Sequence, residues 1–289
     1  MKDLLKEEVG HKMSILEKLG NVDRRVIYWI VVFCIAIPYI RPLGIPISIS
    51  NVTQTAYNEI SKLNQNSIVW FAVDIGVGGL PELGGGIVAV FDHVIKTNAK
   101  IILVTGALEG TLLINDILIP KIEKETRTYG IDYVNLGYFS GEEVAKTRLA
   151  TDIRSVIPND IYETTLDEIP IMANINQATD IDLVICFDSG ISVDGYVRQW
   201  QSRFNTKIIG VFAAVIVPQH YPFFPTQIVG MIPGQRGCAE YELLIGKPGD
   251  AIKTSDVMSV SHIFMIFLII LGNIQFIASK YIKGDKRHD

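Results

Sequence analysis

The chain has 289 residues, of which 48% are hydrophobic, and a formal net charge of −5 at pH 7. This length allows one large domain or two small ones. Residues 51–256 hold 15 Lys and Arg against 24 Asp and Glu, a balance of −9, and so acidic a domain is a poor binder of nucleic acid through its phosphates.

The first 25 residues predict a separate amphipathic helix. Leucine, valine and methionine recur there at helical spacing with Lys and Glu between them. Such a helix lies on the inner membrane surface or packs against a neighbouring copy of the chain.

Two apolar segments bracket the rest of the chain, and each predicts a transmembrane helix. The first covers residues 26–49 and the second covers residues 257–279, and a bilayer core requires roughly 20 apolar residues in a helix. Pro42 and Pro46 favour an end to the first helix at the membrane interface. No small-residue cleavage site follows, so the first segment predicts an uncleaved anchor.

The basic residues predict how the chain sits in the lipid bilayer. Lys and Arg precede the first apolar segment, and a basic tail over residues 280–289 follows the second. Because basic residues near spans favour the cytoplasm, both termini are expected inside and the domain over residues 51–256 outside the cytoplasm. The predicted location is the cell membrane, with two passes.

The central region alternates apolar strands with amphipathic helices. The strands are predicted over residues 67–74, 100–105, 133–138, 182–188 and 207–212, and the helices over residues 87–97, 112–129, 142–156, 194–204 and 239–245. Nearly continuous apolar strands separated by helices are typical of a parallel sheet covered on both faces. The predicted fold class is α/β, with a mostly parallel three-layer sheet domain inserted between two transmembrane helices.

Ligands in such sheets bind beyond the carboxyl ends of the strands. Asp74 and Asp188 end two of the apolar strands, and Glu109 follows the strand over residues 100–105. These three residues are the candidate catalytic carboxylates. Helix capping or loop hydrogen bonding is an equal alternative for the two aspartates. The ligand-binding candidates in the same loops are Gly78, Gly79, Glu82, Thr105, Tyr138, Ser189 and His220.

Arg236 is a further ligand-binding candidate, in the glycine-rich segment over residues 230–242. Near a helix start it would meet an anion, or it would pair with Glu240 on the same helix. The segment itself predicts a flexible turn before a helix.

Cofactor motifs are incomplete or missing. The run from Gly76 to Pro81 begins like G-x-G-x-x-G, but Pro81 replaces the third glycine, and no P-loop is present. The three cysteines and five histidines show no metal-ligand spacing. Neither a cofactor nor a metal site is predicted.

Two resemblances extend these patterns. The order strand, glycine-rich loop, helix, strand and then Gly106 to Thr111 resembles the core of the ClpP/crotonase superfamily over about residues 65–115. That superfamily places a serine nucleophile at the start of the next helix, where this chain has Leu108 and Glu109, with Thr111 as the nearest hydroxyl. The resemblance therefore implies an inactive or divergent relative.

The chain also resembles an uncharacterised prokaryotic family of two-span membrane-anchored α/β proteins. The shared pieces are Pro81-Glu82-Leu83, residues 132–138, a Gly-Ala-Glu-Tyr-Glu-like run ending at Glu242, and Leu271-Gly272-Asn273. Cys238 stands where that family is expected to have a small residue. The resemblance implies an architecture and no chemistry.

Two functions follow from these patterns. The first is a binding or scaffolding module, without enzymatic activity, in a homo-oligomer or a larger membrane assembly. Gly272 and Asn273 of the second span are its predicted assembly residues, since small and polar residues support helix association in lipid. The alternative is a membrane-bound hydrolase that acts at the strand-end cleft.

Overall fold

The backbone of residues 23–285 and the side chains of residues 23–277 are described by a computed structural model. Most of the predicted amphipathic helix over residues 1–25, and the end of the predicted basic tail, lie outside these residues. The chain divides into two units, one of residues 46–252 and the other of residues 1–45 with residues 253–289.

The larger unit is built on one six-stranded parallel sheet. The strands are β1 (Ile68–Asp74), β2 (Lys100–Thr105), β3 (Tyr133–Tyr138), β4 (Leu183–Asp188), β5 (Lys207–Phe212) and β6 (Gly230–Pro233), in the order β3-β2-β1-β4-β5-β6. This is the order of a doubly wound α/β fold. The predicted α/β class is confirmed, and five of the strands were predicted to within one residue at either end.

The interiors of the strands are largely apolar because both faces of the sheet are covered. Val69, Phe71 and Val73 of β1 enter one hydrophobic core, whereas Trp70 and Ala72 enter the other. Since successive side chains of a strand point to opposite faces, Asp74 shares the face of Trp70 and Ala72. This alternation determines which helices surround Asp74.

Helices cover the two faces in separate groups. The face of Val69 is covered by α2 (Asn51–Ser61), α3 (Leu80–Lys96), α4 (Gly110–Leu113), α5 (Ile119–Glu123) and α10 (Gly234–Leu244). The face of Trp70 is covered by α6 (Glu142–Leu149), α7 (Ser192–Tyr196), α9 (Val217–His220) and the segment over residues 150–181, and α8 (Ser202–Phe204) follows α7. π-helical turns join α4 to α5 (Ile114–Leu118) and α7 to α8 (Val197–Gln201).

Helix α3 begins seven residues earlier than the sequence predicts, at Leu80 instead of residue 87. Pro81 occupies the first turn, where proline is well tolerated, and the glycines 84–86 lie inside the helix. Tertiary packing overrides their low helix propensity, because a Cβ on Gly86 would lie 2.3 Å from the Sγ of Cys238. The glycines therefore allow α10 to approach α3.

Strand β6 replaces the turn predicted over the start of residues 230–242. Gly230 pairs with Ile209 of β5, and a Cβ on Gly230 would lie 2.5 Å from the Cα of Ala56 in α2. Glycine in this strand marks close backbone approach. Helix α2 was not predicted either.

The smaller unit contains α1 (Arg24–Ile40) and most of α11 (Asp250–Asp285). Of the residues that the structure describes, only Asp250–Ile277 forms a helix long and apolar enough to cross a membrane. Helix α1 has 17 residues, about 26 Å at 1.5 Å per residue. It ends earlier than the predicted span over 26–49, because Pro42 and Pro46 disfavour helical backbone in the residue before each of them.

Candidate functional site

The candidate site lies where the strand order reverses, between β1 and β4. Ligands of doubly wound sheets bind at this switch point, outside the carboxyl ends of the strands. Asp74 of β1 and Asp188 of β4 are register partners there, and both are buried. The sequence selected these two residues, and the fold places them side by side.

Asp74 is held by groups from three other segments. Its Oδ1 accepts the backbone N–H of Gly106 at 2.5 Å, and its Oδ2 accepts the hydroxyl of Ser192. The Nζ of Lys146 lies 3.6 Å from Oδ2. A carboxylate at a strand end thus meets an amide, a hydroxyl and a cation, as a buried charge requires.

Lys146 reaches this carboxylate from α6. Its side chain is 5% exposed, and its Nζ donates to the Oγ of Ser192 at 2.5 Å and to the Ser192 carbonyl at 3.0 Å. The ammonium also lies 4.8 Å from the ring centroid of Tyr196, a cation–π distance. Gly195 makes room for the lysine, since a Cβ there would lie 2.7 Å from the Lys146 Cδ.

Asp188 has a different set of partners. Its Oδ1 accepts the N–H of Gly190 at 2.7 Å, and its Oδ2 accepts the N–H of Val193 in α7 at 2.8 Å. Burial raises the pKa of Asp188 above its usual value, and the two backbone N–H groups oppose that shift. Asp188 therefore fixes the loop between β4 and α7.

Glu109 and Thr105 lie at the end of β2. Glu109 is exposed, and a Cβ on Gly76 would lie 2.5 Å from its Oε2, so its carboxylate covers the first glycine of the loop after β1. The buried Thr105 Oγ1 lies 2.7 Å from the carbonyl oxygens of Val73 and Ala107. A carboxylate over Gly76 disfavours a phosphate at this loop.

The three candidate carboxylates have separate partners. Asp74 pairs with Lys146 and Ser192, Asp188 with backbone amides, and Glu109 stands at the rim. A carboxylate pair that acts as a separate acid and base needs both groups within reach of one substrate. The geometry gives no support to a hydrolase that uses two of these carboxylates as an acid–base pair.

Three other predicted ligand-binding residues are engaged within the fold. The Oε1 of Glu82 accepts the N–H of Ala214 at 2.7 Å. His220 is fully buried, and its Nε2 lies 3.0 Å from the Oδ1 of Asp194. Arg236 donates to Glu240 at 3.2 Å and to the Oγ of Ser48 at 2.9 Å, which is the structural alternative that the sequence left open.

The remaining predicted residues line the open edge. Tyr138 and Ser189 are exposed, and a Cβ on Gly78 would meet no heavy atom within 4 Å. Gly79 faces Ser189, since a Cβ there would lie 3.8 Å from the Ser189 Cβ. The loops after β1 and β4 are therefore neighbours across the switch point.

The predicted assembly residues belong to the smaller unit. Gly272 and Asn273 are exposed on α11, and the Nδ2 of Asn273 donates to the carbonyl of Ile269 at 2.9 Å in the same helix.

Sequence reasoning missed two residues of the site, Lys146 and Ser192. Lys146 lies three residues before the buried Leu149, so its place on the apolar side of a short helix was a usable signal. Ser192 is the first residue of α7, just after the loop that follows β4. Serine is common at helix starts, so its presence there did not indicate a functional role. Neither residue belongs to a recognisable motif.

In the part of the chain that the structure describes, no three His, Cys, Asp or Glu residues lie close enough together to hold a metal ion. Cys186 and Cys238 are buried free thiols. Burial raises the pKa of each thiol, which disfavours the thiolate that binds metals.

The arrangement is thus one polar cluster of Asp74, Lys146 and Ser192 beneath loops that open at the carboxyl edge of the sheet. No protein-family model, no curated protein and no solved structure matches this chain.

Proposed function

We propose that the chain is a membrane-anchored α/β binding module that assembles with a second copy of itself through the carboxyl edge of its sheet. The supporting observation is a row of exposed apolar side chains on the loops there. Val77, Leu108, Ile191 and Val215 are 53%, 68%, 68% and 82% exposed. They follow β1, β2, β4 and β5, which are neighbours in the sheet.

Exposed apolar side chains grouped at one edge favour a protein interface, whereas singly scattered ones need no explanation. Association removes such side chains from water, which favours the complex. The polar groups beneath the row are bonded to one another, as Asp188 is to Gly190 and Val193. A partner therefore meets loops that are apolar and already folded.

The apolar row favours a second copy of the chain as its binding partner. An apolar row is complementary to itself, so two copies form a symmetric contact with no need for opposite charges. A membrane anchor holds copies in one plane, which raises their effective concentration.

The anchor has two parts in this proposal. Helix α11 crosses the bilayer, and α1 crosses as a second, shorter span, which gives two passes. Arg24 and Arg25 open α1, and Lys280 and Lys283 lie near the end of α11. By the positive-inside rule both termini are cytoplasmic and the α/β domain is outside the cytoplasm. Gly272 and Asn273 extend the assembly contact within the membrane.

The mass of the full chain in detergent tests this function. The wild-type chain is expected as a dimer or larger, and Val215→Asp shifts it toward the monomer because two buried carboxylates would face each other. Ile131→Asp is the matched control: Ile131 is 53% exposed but precedes β3 at the opposite edge. A monomeric wild-type chain, or an unchanged mass for Val215→Asp, contradicts the proposal.

A further inference from the structure

The hydroxyl of Ser192 lies between two buried charged groups. It accepts from the Nζ of Lys146 at 2.5 Å and donates to the Oδ2 of Asp74. The lysine and aspartate side chains are 5% and 2% exposed, whereas Ser192 is half-buried at the start of α7. We propose that Ser192 is the nucleophile of an acyl-ester hydrolase site, which goes beyond the binding function.

The three groups meet the geometric requirement for an activated hydroxyl. A nucleophile needs a base within hydrogen-bond reach and a third group that orients the pair. Asp74 is the base, because the Ser192 O–H already donates to its Oδ2. Lys146 is the positioning cation, and its ammonium stabilises negative charge as it develops on the Ser192 Oγ.

The surrounding fold holds this geometry in place. Lys146 Nζ also donates to the Ser192 carbonyl at 3.0 Å, so the lysine fixes both the backbone and the side chain of the nucleophile. The second oxygen of Asp74 is held by the Gly106 N–H at 2.5 Å. Groups held by packing and second hydrogen bonds do not have to reorganise during a reaction.

The carboxyl edge gives a substrate access to Ser192. Ser189, Gly190 and Ile191 just before it are exposed, and the facing loop leaves open space beside Gly78. The exposed apolar side chains on these two loops are Val77 and Ile191. Apolar walls favour an ester of an apolar acid, such as an acyl chain.

The reaction balances without a further reactant besides water. The Ser192 Oγ bonds to the carbonyl carbon, and its proton passes to the Oδ2 of Asp74. The carbon–oxygen bond to the alcohol then breaks, and the departing oxygen takes that proton. Water attacks the acyl-serine in the same way, which releases the acid and restores the hydroxyl.

The experiment is covalent labelling of the full chain in detergent with an alkyl fluorophosphonate. The Ser192 Oγ–phosphorus bond forms, fluoride leaves, and the serine proton passes to Asp74. Fragmentation of the tryptic peptide over residues 155–198 is expected to place the adduct on Ser192. Ser192→Ala is expected to remove it, and Lys146→Met to slow labelling at least tenfold.

Ser155→Ala is the matched control, because Ser155 is an exposed serine of the same peptide whose hydroxyl donates to the backbone carbonyl of Asp152. It is expected to label like the wild type. If Lys146→Met does not fold, the adduct position in the wild-type chain decides alone. If neither the folded wild-type chain nor the folded Val215→Asp chain carries an adduct on Ser192, while a known serine hydrolase is labelled alongside, the inference is overturned.

Val77 and Ile191 also belong to the proposed contact between copies, so labelling of Val215→Asp separates the two proposals. A monomeric wild-type chain that carries the adduct removes the proposed assembly and keeps this inference, and a dimer whose Val215→Asp variant stays unlabelled does the reverse.

Discussion

Asp74 and Lys146 form a buried ion pair, with the Lys146 Nζ 3.6 Å from the Asp74 Oδ2. Removing one partner of such a pair leaves the other charge buried and typically costs about 3–5 kcal/mol. Lys146→Met is therefore expected to lower the Tm of the full chain by roughly 6–20 °C, at about 2–4 °C per kcal/mol for a domain of this size. Thermal unfolding in detergent, followed by circular dichroism, measures this shift.

The control is an ion pair on the surface. Arg198 and Glu143 make two hydrogen bonds of 2.8 Å, but both side chains are well exposed, and exposed pairs contribute little. Arg198→Gln is expected to shift the Tm far less than Lys146→Met. In the double variant Asp74→Asn with Lys146→Met, the loss should be smaller than the sum of the single losses. Additive losses would show that the pair is not coupled.

Gly84 and Gly85 of α3 are expected to respond differently to alanine. A Cβ on Gly85 would lie 2.7 Å from the backbone N of Ala251, whereas a Cβ on Gly84 would lie 3.5 Å from the Leu80 Cδ2. Alanine is favoured over glycine inside a helix by up to about 1 kcal/mol. Gly84→Ala should raise the Tm or leave it unchanged, and Gly85→Ala should lower it, because backbone atoms cannot move aside cheaply. Equal shifts would contradict this contact.

His93 gives the stability of the domain a dependence on pH. Its ring stacks on Tyr57 at 4.7 Å, and its Nδ1 lies 2.8 Å from the Oη of Tyr241. Burial, with a smaller contribution from Lys96, lowers the pKa of His93 from 6.5 to about 4. Between these two pH values the unfolded chain binds more protons than the folded one, so stability falls as the pH falls from about 6.5 to about 4.

The test compares the Tm at pH 7 and pH 5 for the wild-type chain and for His93→Gln. The Tm of the wild-type chain should fall further between pH 7 and pH 5 than the Tm of His93→Gln. The two chains differ only at residue 93, and glutamine does not titrate. An equal loss in both chains would assign the pH dependence to other residues.

Periodicity was enough to predict the sheet. Strand β1 is apolar at every position before its final Asp74, which occurs when both faces of a strand are covered. Strand β6 could not be predicted, because its Gly230 is not a typical strand residue. Glycine is required there by the close packing of Ala56, which is a contact between distant segments. The same limit applies to Gly86, because the side chain of Cys238 leaves no room for a Cβ at this position.

Of the candidate site, only the residues at strand ends were predicted from the sequence. The rule for parallel sheets selected Asp74 and Asp188, and the structure makes them register partners. Lys146 reaches Asp74 from α6, which is far from β1 along the chain. Such a partner follows from the packing of α6 against α7, which no local pattern specifies. The ClpP/crotonase resemblance stays a prediction.

Asn273 provides the last prediction, which concerns assembly within the membrane. Its carboxamide is exposed on α11, and one N–H donates to the Ile269 carbonyl in the same helix. An amide has two N–H donors and a carbonyl acceptor, and leaving such groups in hydrocarbon without partners is costly. In the proposed membrane assembly, helix association buries them against polar groups of another copy.

Asn273→Leu is therefore expected to shift the full chain toward smaller assemblies in detergent, with a weaker cross-linked dimer band. Asn273→Gln keeps the amide and should retain more of the assembly. Ile274→Leu changes a neighbouring exposed apolar residue and should leave the mass distribution unchanged. Because hydrogen bonds between membrane helices contribute only about 0.6–2 kcal/mol each, the shift should be clearest near the dissociation midpoint. An identical distribution for Asn273→Leu and the wild type across that midpoint would assign assembly to the carboxyl edge of the sheet alone.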